Sequence, residues 1–502
     1  IVRNTHYKYT INIKGVDNIE VEVETSNDGT DGVTENQSGA MGNVYSVEEE
    51  VYTFDAHYGQ RVYTFSASSI NIDAMTWYVK TPFGREGIPV KDPLTGQDIY
   101  NDLDYKWVEF CVNDMQADGT YSSRNMAYPG IGHESLMDVV EFMAFLKAEK
   151  IKYEANQDNA FDKDGNLRVT IFVNEFYYEV DPMNPNNKPQ DLWKRFVNQP
   201  NRLMHILCES AFSKDGDSSI TGSIVTIRQR SIQTPYNLKN ADLMTAWGCE
   251  TIDEKTSNYG FYDKSESVTY APASFEFLYN DSPDNGLYNT LGLWGLNRGG
   301  TMIEGVRWDV FLDYDRENDY NLIWMKDNYA VMRWSTMMRN RDNNGNGIID
   351  PDEIRWYQAA TNQLLGLYIG ELGVSNDSRL YNTAYAVPGS TDGYRTFRRH
   401  VLSSTKCSDN NSVLDFWAEQ GIVTTRYRVD YYDNYGEPFR PHLSVRCVRN
   451  LGMDNPTKEN ILKKEENLPH PLVVVNCMEG EGTANAVYSF DLRNVNEESL
   501  RY

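Results

Sequence analysis

One run of residues has the side-chain types and the spacing that a divalent cation requires. In Asp342-Asn343-Asn344-Gly345-Asn346-Gly347-Ile348-Ile349-Asp350-Pro351-Asp352-Glu353, oxygen-bearing side chains fall at loop positions 1, 3, 5 and 9 (Asp342, Asn344, Asn346, Asp350). Gly347 stands at position 6, where the chain must turn. Ile348 at position 7 would give its backbone carbonyl, and Glu353 closes the loop at position 12. Hard oxygen donors in this number suit Ca2+. Three of the ligands are carboxylates (Asp342, Asp350, Glu353) and the loop occurs once, whereas calcium sensors work with paired loops. The pattern implies a structural ion in the weak extracellular regime, with Kd of about 10⁻⁴–10⁻³ M.

The competing reading is a solvated Asn/Gly turn that carries acids, and the flanks argue against it. Before the loop, Asn328 to Asn340 places Ala330, Val331, Trp334, Met337 and Met338 on the stripe of an amphipathic helix. After it, Pro351 suits a helix's first turn and Asp352 and Glu353 complement its positive end. Ile354, Tyr357, Leu364 and Leu365 can then share an inner face before Gly366. The expectation is an EF-hand-like helix-loop-helix.

Other chemistry is sparse. His6, His57, His133, His205, His400, His442 and His470 show no H-x-x-x-H or H-E-x-x-H spacing, so a zinc centre would have to be assembled from distant segments. There is no G-x-S-x-G elbow, no Walker loop and no G-x-G-x-x-G after a strand. Cys111, Cys208, Cys249, Cys407, Cys447 and Cys477 are too dispersed for C-x-x-C motifs; they read as buried free thiols, with a Cys407–Cys447 bridge as the alternative. A glycosidase needs two carboxylates at the right separation, and 73 acidic residues supply such a pair on paper without pointing to one. The acid-rich run Asp313 to Tyr320 reads as a solvated loop, with a second cation site or a sugar contact as the lesser reading.

The elements that must position the loop follow from composition and period. The 502 residues carry a net charge of −26, which excludes nucleic acid or an anionic membrane as the main partner. Aromatics make up 13%, and no apolar run approaches the length of a transmembrane segment. The fold class is mainly β with an α+β carboxy-terminal region. Strand patterns at Val2–Ile13 and Ile19–Glu24 are expected to be the terminal strands (1–24) of a truncated or processed amino-terminal β-domain, which pair with a missing domain or another chain. A polar linker follows over 25–43.

Residues 44–235 then read as a β-sandwich, with strands around Val51–Phe54, Val62–Phe65, Met75–Val79, Trp107–Val112, Leu167–Val180, Leu203–Cys208 and Ser223–Arg230. A helix from Glu134 to Ala148, opened by Ser135, and a short one at Asp191–Val197 interrupt it. Residues 236–502 hold the calcium loop, a tract of Tyr, Arg and turn residues from Arg379 to Asp433, and strands at His442–Arg449, Leu472–Cys477 and Val487–Leu492.

Several stretches together resemble accessory or tip subunits of the fimbrillin (type V) pilus superfamily of Bacteroidetes. They are Val2-Arg3-Asn4-Thr5-His6-Tyr7-Lys8-Tyr9, Phe54-Asp55-Ala56-His57-Tyr58, Arg228 to Tyr236, Asn340 to Tyr357 and Arg446-Cys447-Val448-Arg449-Asn450. The resemblance implies a non-enzymatic cell-surface subunit of an outer-membrane-attached fimbria. Such a subunit would join others by strand addition through Ile1–Glu24 or another sheet edge, and a host or bacterial surface glycan or protein would be its target. The tract from Glu353 to Arg449 is also similar to C-type-lectin-like and sulfatase-modifying-factor-like domains, without the reactive cysteines of the enzyme branch. A secreted glycan-binding module and a glycoside hydrolase are the alternatives.

Overall fold

The computed structural model describes residues 7–15, 18–25, 48–115, 117, 127–187, 189, 191–208, 223–235, 247–251, 282–293, 297–298, 301–302, 306–307, 339–375, 378–380, 400–406, 412–417, 422–427, 431–432, 438–439 and 444–451. These residues are mainly β, with few helices. The chain divides into two units, Ile1–Ser46 and Val47–Tyr502.

In the first unit β1 (Tyr7–Gly15) and β2 (Asn18–Thr25) form an antiparallel hairpin. The register pairs Tyr9 with Val23, Ile11 with Val21 and Ile13 with Ile19, while Lys8, Thr10 and Asn12 face Glu24, Glu22 and Glu20. Alternate rungs are therefore apolar on both strands, as the period-2 pattern requires. Among the described residues these strands pair only with each other.

The second unit begins with β3 (Glu48–Phe54), β4 (Gly59–Ser66), β5 (Thr76–Lys80), β6 (Val108–Val112), the helix α1 (Val139–Glu154), β7 (Asn166–Val173), β8 (Arg202–Leu207) and β9 (Ser223–Gln229). One sheet runs β3-β9-β8-β5 and the other β4-β7-β6. β3 lies parallel to β9, and the remaining pairs are antiparallel. A single apolar cluster draws on both sheets and on α1. It includes Phe65, Trp77, Val79, Phe110, Phe142, Leu146, Ile171, Met204 and Ile227. The rings of Phe110 and Phe142 stack with centroids 4.4 Å apart, which fixes α1 on β6.

Two expectations in this region need correction. The helix starts at Val139, not in the turn after Ser135, because Asp138 accepts from the amides of Val140 and Glu141 while Glu141 bonds back to the Asp138 amide. That reciprocal cap outcompetes Ser135, whose hydroxyl is engaged with His133 Nδ1. The strand expected to run to Val180 ends at Val173. Beyond it the Asn174 carbonyl accepts from both Arg202 Nη2 and Gln229 Nε2, so buried side chains take the acceptor a ladder would use.

Further along, β10 (Trp247–Cys249), β11 (Trp356–Gln358) and β12 (Cys447–Asn450) form an antiparallel sheet in the order β10-β12-β11. Helices α2 (Gly286–Leu293) and α3 (Thr361–Ile369) lie in the same region. The Tyr-, Arg- and turn-rich tract from Arg379 onward contains a meander, His400–Lys406, Ser412–Trp417 and Ile422–Tyr427, with Ser444–Val445 alongside the first strand. The strand expected over His442–Arg449 is split at Arg446, whose guanidinium donates to the Glu250 carbonyl and so sends the two halves into different sheets.

The continuous helix expected after the acidic loop is also absent. A 3-10 turn at Pro351–Glu353 gives way to β11, and α3 starts only at Thr361. Asn340 explains the break: its Oδ1 accepts from the amides of Arg355 and Trp356, and its Nδ2 donates to the Trp356 carbonyl. Ile354, Tyr357, Leu364 and Leu365 are nonetheless all buried, as their apolar character demanded. The helix expected before the loop falls outside the described residues up to Met338, as do the linker beyond Thr25, the Asp313–Tyr320 run, and the final strands.

Candidate metal centres

The acidic loop is ordered by its own backbone amides. Asp342 Oδ1 accepts from the amides of Gly345 and Asn346 at 2.8 and 3.2 Å, and Oδ2 from that of Gly347 at 2.7 Å. Glu353 is bound by the loop's own backbone: Oε1 takes the amides of Asn343 and Asn344, and Oε2 that of Asp350. Asp350 Oδ2 accepts from the side-chain amides of Asn344 and Asn346, both at 2.9 Å. The positive φ at Gly345 and Gly347 supplies the turn. Ile348, expected to offer its carbonyl, sits with Ile349 in a short strand paired with Val306–Arg307.

The residue types suit a hard cation, but the loop's carboxylates are not gathered into a ligand set: among the described residues the one group of three or more His, Cys, Asp or Glu whose ligand atoms all lie within 4.8 Å of one another is Asp55, His57 and Glu250. Asn344 and Asn346 turn Nδ2 to Asp350, and Asn344 Oδ1 accepts from the Asn346 amide. Burial and then the charge of Asp350 raise the Asp342 carboxyl, although three backbone amides oppose the shift. Glu353 is pushed up to about 7, by burial first and by the neighbouring Asp342 charge, again against the pull of backbone amides. A cation between these groups would relieve both causes.

The loop is anchored to the sheets by Arg341. Its guanidinium lies over Tyr58 and Tyr128 at 4.6 and 4.3 Å and donates to the Val173 carbonyl and the Asn174 side chain. The Asn343 carbonyl accepts from the Ile131 amide at 2.8 Å. A Cβ on Gly345 would stand 2.2 Å from the Pro129 carbonyl oxygen, so only glycine allows this approach.

A second cluster was not legible as such. Asp55 and His57 come from the turn between β3 and β4, and Glu250 directly follows β10. All three are buried, and their ligand atoms lie within 4.8 Å of one another. This group can hold a metal ion. Asp55 Oδ1 accepts from the amides of Ala56 and Thr251, and Oδ2 from the Thr251 hydroxyl. Glu250 Oε1 accepts from the Cys447 amide and Oε2 from the Arg339 guanidinium. His57 Nδ1 lies 2.8 Å from the Tyr58 carbonyl, and Nε2 is 3.7 Å from Glu250 Oε2. Burial and the Arg339 charge lower the His57 pKa.

A third acid, Glu175, binds Arg449 through both oxygens at 2.7 and 2.8 Å and accepts from Trp356 Nε1 at 2.9 Å. Burial pushes Glu175 up, but Arg449 more than offsets this and holds the carboxyl below the usual range. These bonds and those of Arg341 cross the boundary expected near residue 235. Among the described residues Cys111, Cys208, Cys249 and Cys447 form no disulfide, while Cys407 and Cys477 lie outside the described residues. Burial pushes the Cys249 thiol up to about 12.

Asp55-x-His57 was the local signal that could have pointed to the second cluster, since two donors two residues apart can turn to one side. Glu250 carried no signal at all. Among the described residues no helix is long and apolar enough to cross a membrane. Compared with family models, curated proteins and solved structures, the chain matches none.

Proposed function

We propose that this chain is a non-enzymatic, cell-surface pilus subunit of tip or accessory type, and that its Asp342–Glu353 loop holds one structural calcium ion. The observation that carries the assembly half of the reading is the β1–β2 hairpin. It is a sheet of two strands among the described residues, with apolar residues at alternate rungs of both strands. A two-stranded ribbon is marginal in water and gains stability when a third strand satisfies its edge and its apolar face is covered. Strand addition from another subunit does both at once. The two sheets that share one core are the β-sandwich of this reading, and the strands and helices after residue 236 are its C-type-lectin-like, calcium-binding part.

In the loop, Asp342, Asn344, Asn346, Asp350, Glu353 and the Ile348 carbonyl would hold the ion. The ion supplies positive charge that fixes the loop, and Arg341 passes that order to the sheets. The partners are other pilus subunits and a surface glycan or protein. The assembly reading is tested by deleting residues 1–46 in the producing bacterium and labelling surface fibres with antibody to the remainder. Loss of the label from fibres is expected. Undiminished incorporation would remove the hairpin from assembly.

A further inference from the structure

The buried cluster formed by Asp55, His57 and Glu250 carries an inference of its own, independent of the pilus reading and of the calcium loop. His57 is the decisive residue. Its Nδ1 faces the Tyr58 carbonyl at 2.8 Å, and a carbonyl oxygen only accepts, so Nδ1 carries the ring proton and Nε2 presents a lone pair. Yet Nε2 is buried without any hydrogen-bond partner, on a residue only 8% exposed. A buried acceptor left in this way is destabilising unless something fills it. Beside it lie two carboxylates, Asp55 and Glu250, the latter also bonded to the Arg339 guanidinium.

We propose that Asp55, His57 and Glu250 form a buried site for a zinc-class divalent ion, with the lone pair of His57 Nε2 as the nitrogen ligand. An imidazole that ligates a metal almost always gives its other N–H to a carbonyl or carboxylate, and the Nδ1 contact with Tyr58 is that bond already made. With metal–ligand bonds of about 2.0–2.2 Å, tetrahedral ligands stand roughly 3.3–3.6 Å apart. The 3.7 Å between Nε2 and Glu250 Oε2 is close to that separation, and the 4.8 Å limit on the whole set leaves a small closure to be made. A nitrogen donor and few oxygens suit zinc, whereas calcium takes six to eight oxygens at 2.3–2.6 Å.

The hydrogen bonds already present leave room for the ion. Each carboxylate oxygen has two lone pairs, so Glu250 Oε2 can keep Arg339 and bind a metal, and Asp55 can keep Thr251. The Trp356 ring packs edge-on against His57 at 5.9 Å and holds the imidazole in place. Ligands 195 residues apart in sequence, Asp55 and Glu250, would be tied by one ion, which makes the site a staple between the β3–β4 turn and β10.

The test uses the full chain, stripped of metal with a chelator and then titrated with zinc chloride in the presence of millimolar calcium. One zinc per chain is expected, with at least tenfold weaker binding in His57→Gln and in Asp55→Asn. No zinc binding by the wild type, or binding unchanged by His57→Gln, overturns the proposal and leaves the cluster a closed ion-pair network. Should the variants not fold, cobalt(II) in the wild type decides. It should show the visible absorption of a four-coordinate site and one contact-shifted, exchangeable imidazole N–H resonance, from the Nδ1 proton held by Tyr58. Absence of that resonance also overturns the site.

Discussion

Glu353 and Glu250 are both buried carboxylates, but different groups face them. Glu353 is met by backbone amides and by another acid, Asp342. Glu250 is met by a buried guanidinium, that of Arg339, and by the Cys447 amide. Neutral dipoles leave the loop's negative charge in place and so leave it to a mobile cation. In the inner cluster, part of the charge is answered by a residue of the chain itself. The loop is therefore expected to depend on dissolved calcium, and the inner cluster on the integrity of its own residues and on the zinc-class ion proposed for it.

The largest effect should come from breaking the inner arrangement. Glu250→Gln leaves the Arg339 guanidinium, which is 1% exposed, buried without its counter-charge. Removing one partner of such a pair costs about 3–5 kcal/mol. Chemical denaturation of the metal-stripped chain should show this loss whether or not calcium is added. The neutralisation Asp342→Asn, made in EDTA, should cost much less, because it relieves repulsion with Asp350 and Glu353. Equal losses would erase the distinction between the two regions.

Next in size is calcium itself. On the proposed reading, binding to the folded loop would stabilise by about 2.7 kcal/mol when free calcium is a hundred times Kd. A thermal melt with calcium against EDTA should show the gain in the wild type and not in Asp342→Asn. An unchanged melting temperature would defeat the structural-calcium reading.

The comparison also explains what could be read in advance. The loop's turn was legible because it is local: the glycines at positions 345 and 347 take the positive φ that the pattern calls for, and Asp342 and Glu353 bind amides within the same twelve residues. The following helix was misread because Ile354, Tyr357, Leu364 and Leu365 are apolar at helical spacing, whereas a distant side chain, Asn340, decides where the backbone of Arg355 and Trp356 bonds. The inner cluster was illegible for the same kind of reason. Nothing near Glu250 in sequence reveals that Asp55 lies beside it, since the pairing of β10 with β12 and of β3 with β9 brings them together. Local patterns fixed strands such as β2 and β4. Their partners depend on contacts between residues far apart in the chain.

A smaller effect tests whether the loop's seat on the sheets matters to its affinity. Gly345 combines a φ of +72° with a Cβ position 2.2 Å from the Pro129 carbonyl oxygen. Gly345→Ala should cost about 1–2 kcal/mol from the left-handed backbone alone. Because the clash pushes the loop away from Pro129, the calcium-dependent part of the melting temperature should shrink as well. A variant that loses stability equally in calcium and in EDTA would show that seating and ion binding are uncoupled.

The smallest effect is one of pH, and its sign separates the two kinds of acid. In the ion-free fold Glu353 titrates at about 7, above its ordinary 4.5, so the folded state binds the proton more tightly than the unfolded chain does. Stability in EDTA should therefore decline as pH rises from about 4.5 to 7. Calcium requires the ionised carboxylate, so its stabilising effect should grow across the same window. The gap between melting temperatures in calcium and in EDTA is expected to be wider at pH 7.5 than at pH 5.5, and Glu353→Gln should flatten that difference. Glu175 has the opposite sign: Arg449 holds it below the usual range, so its contribution is present above its unfolded value and is lost as pH falls further. That loss should be the same with and without calcium. If the acid-side loss instead tracks calcium, the guanidinium-paired acids are not independent of the loop, and the contrast drawn between them fails.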